Sequence, residues 1–315
     1  MNLRAVLSML ATVLLASSAT ARTWYITEDC SGDAPTIQAG IDSAAVGDTV
    51  LVGPGTYFEN IDFTGKDIVL KGEMGPEATI LDGSSEPTCT VLVKSGETRA
   101  AVLEGFTVTG GCGWYPPQAP CGDGGGILLL QSSATIIGNI ITGNTSVFLA
   151  GDRETGWGGG ILCAGEASSP LIEGNIITAN LAGGNGGGIA VEDAAPVIVD
   201  NVITANELLY GDGGGIWIWS LVSGAIIRGN IITDNIAGDH GGGVLLAQNS
   251  PLRPPLEVEV SHNVIGRNKA GSQTIVSYAG GGIYLWDTNA WIHHNTIVEN
   301  EDATGRALGG GIAID

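Results

Sequence analysis

Three glycines followed by an aliphatic residue occur seven times, at residues 124–127, 158–161, 186–189, 213–216, 241–244, 280–283 and 309–312. A second unit, Asn-x-Ile-x-x-Asn, follows each of the first six, beginning at Asn139, Asn175, Asn201, Asn230, Asn263 and Asn295. A period this short means that no single copy can bury its own apolar face, so the copies must stack on one another. Ile141, Ile177, Ile203, Ile232, Ile265 and Ile297 hold one place in the unit. Three residues before each first Asn stand Ile136, Ile172, Ile198, Ile227, Val260 and Ile292. β-branched residues at fixed places in short alternating runs read as inward-facing strand positions. The asparagines suit sharp corners, because Asn tolerates a left-handed backbone and bonds to its neighbours. Stacked coil on coil, their amides are expected to form a ladder. The expected fold is all-β: a solenoid of about nine coils, each with about three short strands and three turns.

Composition agrees. Glycine is 51 of 315 residues, yet it does not recur every third position, which excludes collagen. Acids outnumber bases by 33 to 12, a net charge of −21. That balance argues against nucleic acid, which needs a basic face, and against anionic lipid. Residues 1–21 carry Arg4, an apolar run and an Ala-x-Ala ending, the pattern of a cleaved export signal. The apolar run is too short to span a bilayer, so no membrane insertion is expected. The chain is therefore expected to be secreted, periplasmic or at the cell surface. Residues 22–46 read as an N-terminal strand and a short helix, with Ile37 and Ile41 four apart on one face, capping the first coil. Residues 47–315 read as the solenoid, open or truncated at its C-terminal end, since no polar cap follows residue 314.

Export permits disulfides. Cys112 and Cys121 bracket a proline-rich loop and form the first-choice pair; Cys30 with Cys89 is a weaker one. Cys163 stands where other copies carry an aliphatic residue and reads as a buried free thiol.

The repeat, together with residues 35–42 and the segment Gly47-Asp48-Thr49-Val50-Leu51-Val52-Gly53-Pro54-Gly55-Thr56-Tyr57, resembles secreted right-handed parallel β-helix proteins of the pectin-lyase-like class. The resemblance covers about residues 33–315. It implies the hand of the helix and leaves the activity open, because one scaffold carries many functions.

After each glycine triplet the aliphatic residue should point inward and the next outward. This places Trp217 and Tyr284 in one outward file, and Glu192, Trp219 and Trp286 in a second. Sugar rings stack on such aromatic faces, so these residues form a candidate platform for a polysaccharide or cell-surface glycan. The competing reading is that a loop covers them, with residues 151–157, 249–256 and 269–279 as candidate lids. Asp123, Asp212 and Asp239, just before the triplets, form a candidate column of oxygen ligands for calcium, the one cofactor suggested. The plainer reading is a solvated turn. His262 and His294 should be neighbours across one coil, but two imidazoles are only a beginning for a metal site, and no further cluster of metal ligands is evident.

Lyases of this fold need a base beside a neutralised uronate, and hydrolases need converging acids. Arg228, Arg253, Arg267 and Arg306 are scattered. Glu192, Asp193 and Asp287 at strand exits are the acids placed to converge. The expected function is a structural or glycan-binding module without a catalytic signature. The alternative is a polysaccharide lyase or glycoside hydrolase working in a groove along the triplet strand.

Overall fold

A computed structural model of the chain describes residues 20–113, 122–150, 153–166, 168–220, 222–248, 257–271, 280–303 and 309–315. The expected export signal, apart from residues 20 and 21, and Cys121 lie outside these residues. Three parallel sheets of ten, nine and nine strands run the length of a solenoid. The first sheet opens with Thr23–Ile26 and ends with Asn289–His293. The triplet sheet holds the strands that follow the glycines, from Ile127–Leu130 to Ile312–Ile314, preceded by two shorter ones. The third runs from Gly55–Tyr57 to Thr296–Val298 and contains the strands between the paired asparagines. Each coil contributes one strand to each sheet, in register, as the stacking argument requires. Ile136, Ile172, Ile198 and Ile227 fall directly over one another, as do Ile141, Ile177, Ile203 and Ile232. Both files are fully buried in the central core.

The asparagine ladder is present at both corners of the third sheet. Asn206 shows the pattern: its Nδ2 donates to Asn235 Oδ1 at 3.0 Å and to the Ile177 carbonyl at 2.9 Å, while its backbone N–H donates to Asn235 Oδ1 at 3.1 Å. The side chain thus satisfies backbone groups that a sharp buried corner would otherwise leave unpaired. The structure alters the reason given for asparagine. The left-handed residue is the one just before it: Ala205 has φ +54° and Asp234 φ +59°. Asparagine serves as the amide bridge, and its neighbour takes the strained turn.

The triplet has two physical causes, shown by residues 213–215. Gly213 is left-handed, with φ +72°. Gly214 and Gly215 are places of close approach: a Cβ on either would lie 2.6 Å from a carbonyl oxygen of the next coil, at Gly242 and Gly243 respectively. No side chain fits there.

Helix Ile37–Ser43 caps the first coil. Thr36 is its N-cap, accepting from the Ala39 N–H at 3.1 Å, and Glu59 accepts from the N–H groups of Ile37 and Gln38. Ile37 and Ile41 are both fully buried in the core. Among the described residues, no helix is long and apolar enough to cross a membrane.

Cys112 is disulfide-bonded, whereas Cys30, Cys89 and Cys163 are free. The weaker pairing of Cys30 with Cys89 is therefore not made: Cys30 is on the surface and Cys89 is buried. Burial pushes the Cys89 and Cys163 thiols up to about 12, which keeps both unreactive.

Candidate functional site

The outer face of the triplet sheet has the alternation expected of it. Leu128, Leu162, Ala190, Trp217, Leu245 and Tyr284 form one outward file. This file is covered, however, and forms a second apolar cluster outside the solenoid wall. Trp217 and Tyr284 are only 2% and 3% exposed, so two of the four rings expected to form a sugar platform are unavailable to a ligand. Trp157, which follows a hairpin of Phe148–Ala150 and Arg153–Thr155, brings its ring to 5.6 Å from that of Trp217, while the His240 ring lies 4.7 Å from that of Tyr284. Small neighbours permit this approach. Ala190 stands beside Trp217 in the file, and a Cβ on Gly184 would lie 3.1 Å from the Trp157 ring. Covering so many apolar side chains follows from the cost of leaving them in water.

The second file is partly open. Glu192 adjoins Trp219 in register, then come Ala247 and Trp286. Trp219 is half-buried, Trp286 is exposed, and their ring centroids are 6.0 Å apart, edge to face. Burial raises the Glu192 carboxyl above the ordinary range, and the charges of Asp193 and Asp123 add to the rise. Burial raises Asp123 as well, against a hydrogen bond from the Trp157 N–H at 2.8 Å. Asp287 does not join Glu192. It follows Trp286, three strand steps along the sheet, or roughly 14 Å.

Of the corner acids, Asp212 and Asp239 stand on successive coils, and Asp123 is apart from both. The residues before successive triplets are Asp123, Trp157, Asn185, Asp212 and His240, so Asp123 and Asp212 stand three coils apart, again roughly 14 Å. Each spends an oxygen on the next coil. Asp123 Oδ1 accepts from the Trp157 N–H, and Asp212 Oδ1 accepts from the His240 N–H at 3.0 Å. His240 Nδ1 also meets Asp212 Oδ1 at 2.7 Å. Burial opposes charge on His240, but this bond and the charges of Asp212, Asp239 and Asp315 raise its pKa on balance. Asp239 precedes His240 and sits one place off the column. Asp123 and Asp212 are too far apart to share one ion.

A more open site lies on the first sheet. Ile226, Glu259 and Trp291 form an outward file there. Beside it is a concavity of about 600 Å³ whose lining includes Glu257, Glu259, Asn289 and Trp291. Trp291 is 74% exposed. The sequence reading missed this site because it followed outward positions only in the strand after the glycines. The same alternation applied to Glu257–Ser261 and Asn289–His293 places Glu259 and Trp291 side by side.

Comparison with known families matches residues 125–314, more than half of the chain, to the family described as right handed beta helix region. A search of curated proteins finds no match.

Proposed function

Because the chain belongs to the right-handed β-helix family, whose scaffold alone does not specify an activity, we propose that it is an exported, non-catalytic module that holds a carbohydrate chain in the groove beside Trp291. The observation that carries this reading is the exposed indole at the edge of a concavity, with two carboxylates and an amide close by. An indole face takes the apolar face of a sugar ring, while Glu257, Glu259 and Asn289 supply partners for hydroxyl groups. Acids around the groove and a net charge of −21 favour a neutral or amino sugar over a polyuronate. The signal-like segment at residues 1–21 and the disulfide at Cys112 support export.

A polysaccharide and oligosaccharide array, read with and without calcium, tests this. Loss of binding in Trp291→Ala, with binding kept in Trp286→Ala, is the expected result. The reverse pattern would move the site to the row of Glu192, Trp219 and Trp286. No binding to any glycan would leave a structural rod. The enzymatic alternative rests on the raised carboxyl of Glu192 beside two other acids. It requires release of shortened or unsaturated products that stops in Glu192→Gln.

A further inference from the structure

His262 and His294 occupy the same corner in successive coils, just before Asn263 and Asn295. Their rings stack with centroids 5.0 Å apart and planes 12° from parallel. A third ring joins them. His293 ends the strand Asn289–His293, and its centroid lies 5.0 Å from His294 and 5.9 Å from His262. The expectation that the chain lacks a cluster of metal ligands is therefore corrected. The third member escaped because it adjoins His294 in sequence, and strand neighbours normally point apart. Here the backbone turns left-handed at His294, with φ +55°, and the two side chains converge.

We propose that His262, His293 and His294 bind one divalent transition-metal ion of the kind imidazole prefers, Zn²⁺, Cu²⁺ or Ni²⁺, with Glu259 orienting His293. One ligand nitrogen from each ring lies within 4.8 Å of the others. His293 Nδ1 and His294 Nδ1 are 2.7 Å apart, a separation that repels two lone pairs unless a proton or a cation lies between them. Metal–nitrogen bonds of about 2.0–2.1 Å place ligand nitrogens roughly 3 Å apart, so small side-chain rotations close the set. Glu259 Oε1 lies 3.7 Å from His293 Nε2, the nitrogen on the far side of that ring, and accepts from Ser261 Oγ at 2.7 Å. A small rotation that brings this carboxylate within hydrogen-bond distance of the imidazole would fix its tautomer and increase its basicity toward a metal.

The corner backbone fixes where these rings stand. The equivalent corner in other coils is Gly138, Gly174, Asp200 or Gly229. His262 and His294 hold it left-handed at φ +57° and +55°, a conformation that histidine tolerates better than most residues with a Cβ. His262 and His294 are exposed, so an ion reaches the cluster from solvent and keeps coordination positions open to water or an outside donor.

The test is titration of the tag-free chain with Zn²⁺, Cu²⁺ and Ni²⁺ salts in turn, with Ca²⁺ and Mg²⁺ as oxygen-preferring controls. It contains no glycan, so its outcome is independent of the carbohydrate reading. Saturable binding of one equivalent per chain is expected, tightest for Cu²⁺. Trp291, with its centroid 5.3 Å from that of His293, should report Cu²⁺ by fluorescence quenching that is lost in Trp291→Phe. Glu259→Gln should weaken binding by roughly tenfold, the lower end for an outer partner. His262→Asn and His294→Asn keep a residue that tolerates the left-handed corner, and each should weaken binding by more than that; His293→Ala should do the same. His240→Gln should change nothing. Absence of saturable binding would overturn the proposal, as would unchanged affinity in His262→Asn/His294→Asn with an unaltered circular dichroism spectrum.

Discussion

The outer faces of the triplet sheet and the first sheet obey one rule and end in opposite conditions. Both alternate side chains in and out, and both place tryptophans outward late in the solenoid. On the triplet sheet the outward file is buried, with Trp217 at 2% exposure. On the first sheet Trp291 remains 74% exposed beside a groove. Two things differ: what packs on the outer face, and the place in the stack, since Trp291 stands on the last strand of the first sheet with a neighbouring strand on one side only. Trp157, after an inserted hairpin, packs against Trp217, and His240 packs against Tyr284. In a solenoid, the repeat determines which residues point outward, while the chain packed on them and their place in the stack decide which of those meet solvent.

Stability should separate the two faces most strongly. Trp217→Ala removes a large buried ring and should cost about 3–5 kcal/mol in denaturant melts, whereas Trp291→Ala should stay within about 0.5 kcal/mol. Equal losses would erase the distinction between covered and open faces. The next largest effect belongs to the corner that leads from the third sheet toward the triplet strands. Asn235→Ala removes the acceptor for the Asn206 N–H and Nδ2, and the donor to Ile203 and Asn268, so a loss of about 3 kcal/mol is expected. A loss no larger than that of Trp291→Ala would show the ladder to be decorative.

Two pH effects sharpen the picture. The pKa of His240 is raised in the fold, so its pairing with Asp212 stabilises fully below about pH 6.5 and is lost as pH rises through the folded value. Melting temperatures measured across this range should fall for the natural chain relative to Asp212→Asn, which keeps an oxygen for the His240 N–H. Parallel curves would discount the pair. Glu192 has the smallest expected effect. Its pKa is also raised, but for an acid the sign reverses: the folded chain holds this proton more tightly than the unfolded chain does. Its contribution is therefore greatest at low pH and declines as pH rises through the carboxylate range. Glu192→Gln should remove that decline and slightly raise the melting temperature at neutral pH; a lower value would mean that the charged form is held by the fold.

Much of this was legible in the residues. The isoleucine files, the amide ladder, the capping helix at Ile37 and Ile41, and the buried free Cys163 all follow from local chemistry repeated at a constant period. The site was less legible. For Trp217 and Tyr284 the alternation fixes the direction but leaves open whether other chain covers them, since direction comes from the strand and environment from distant residues. Asp123 and Asp212 look alike in sequence, yet they stand three coils apart. Trp291 and Glu259 are 32 positions apart in the chain and adjacent in register.

The sequence by itself determined the winding: β-branched residues that must be buried, amides that must bridge corners, and glycines where no Cβ fits leave little alternative to stacked coils. What the surface offers emerges only in the stacked coils, because a side chain's exposure and its companions depend on segments remote in sequence. Trp157 lies over Trp217, and His262 meets His293 and His294, through distances that exist only once the coils are stacked.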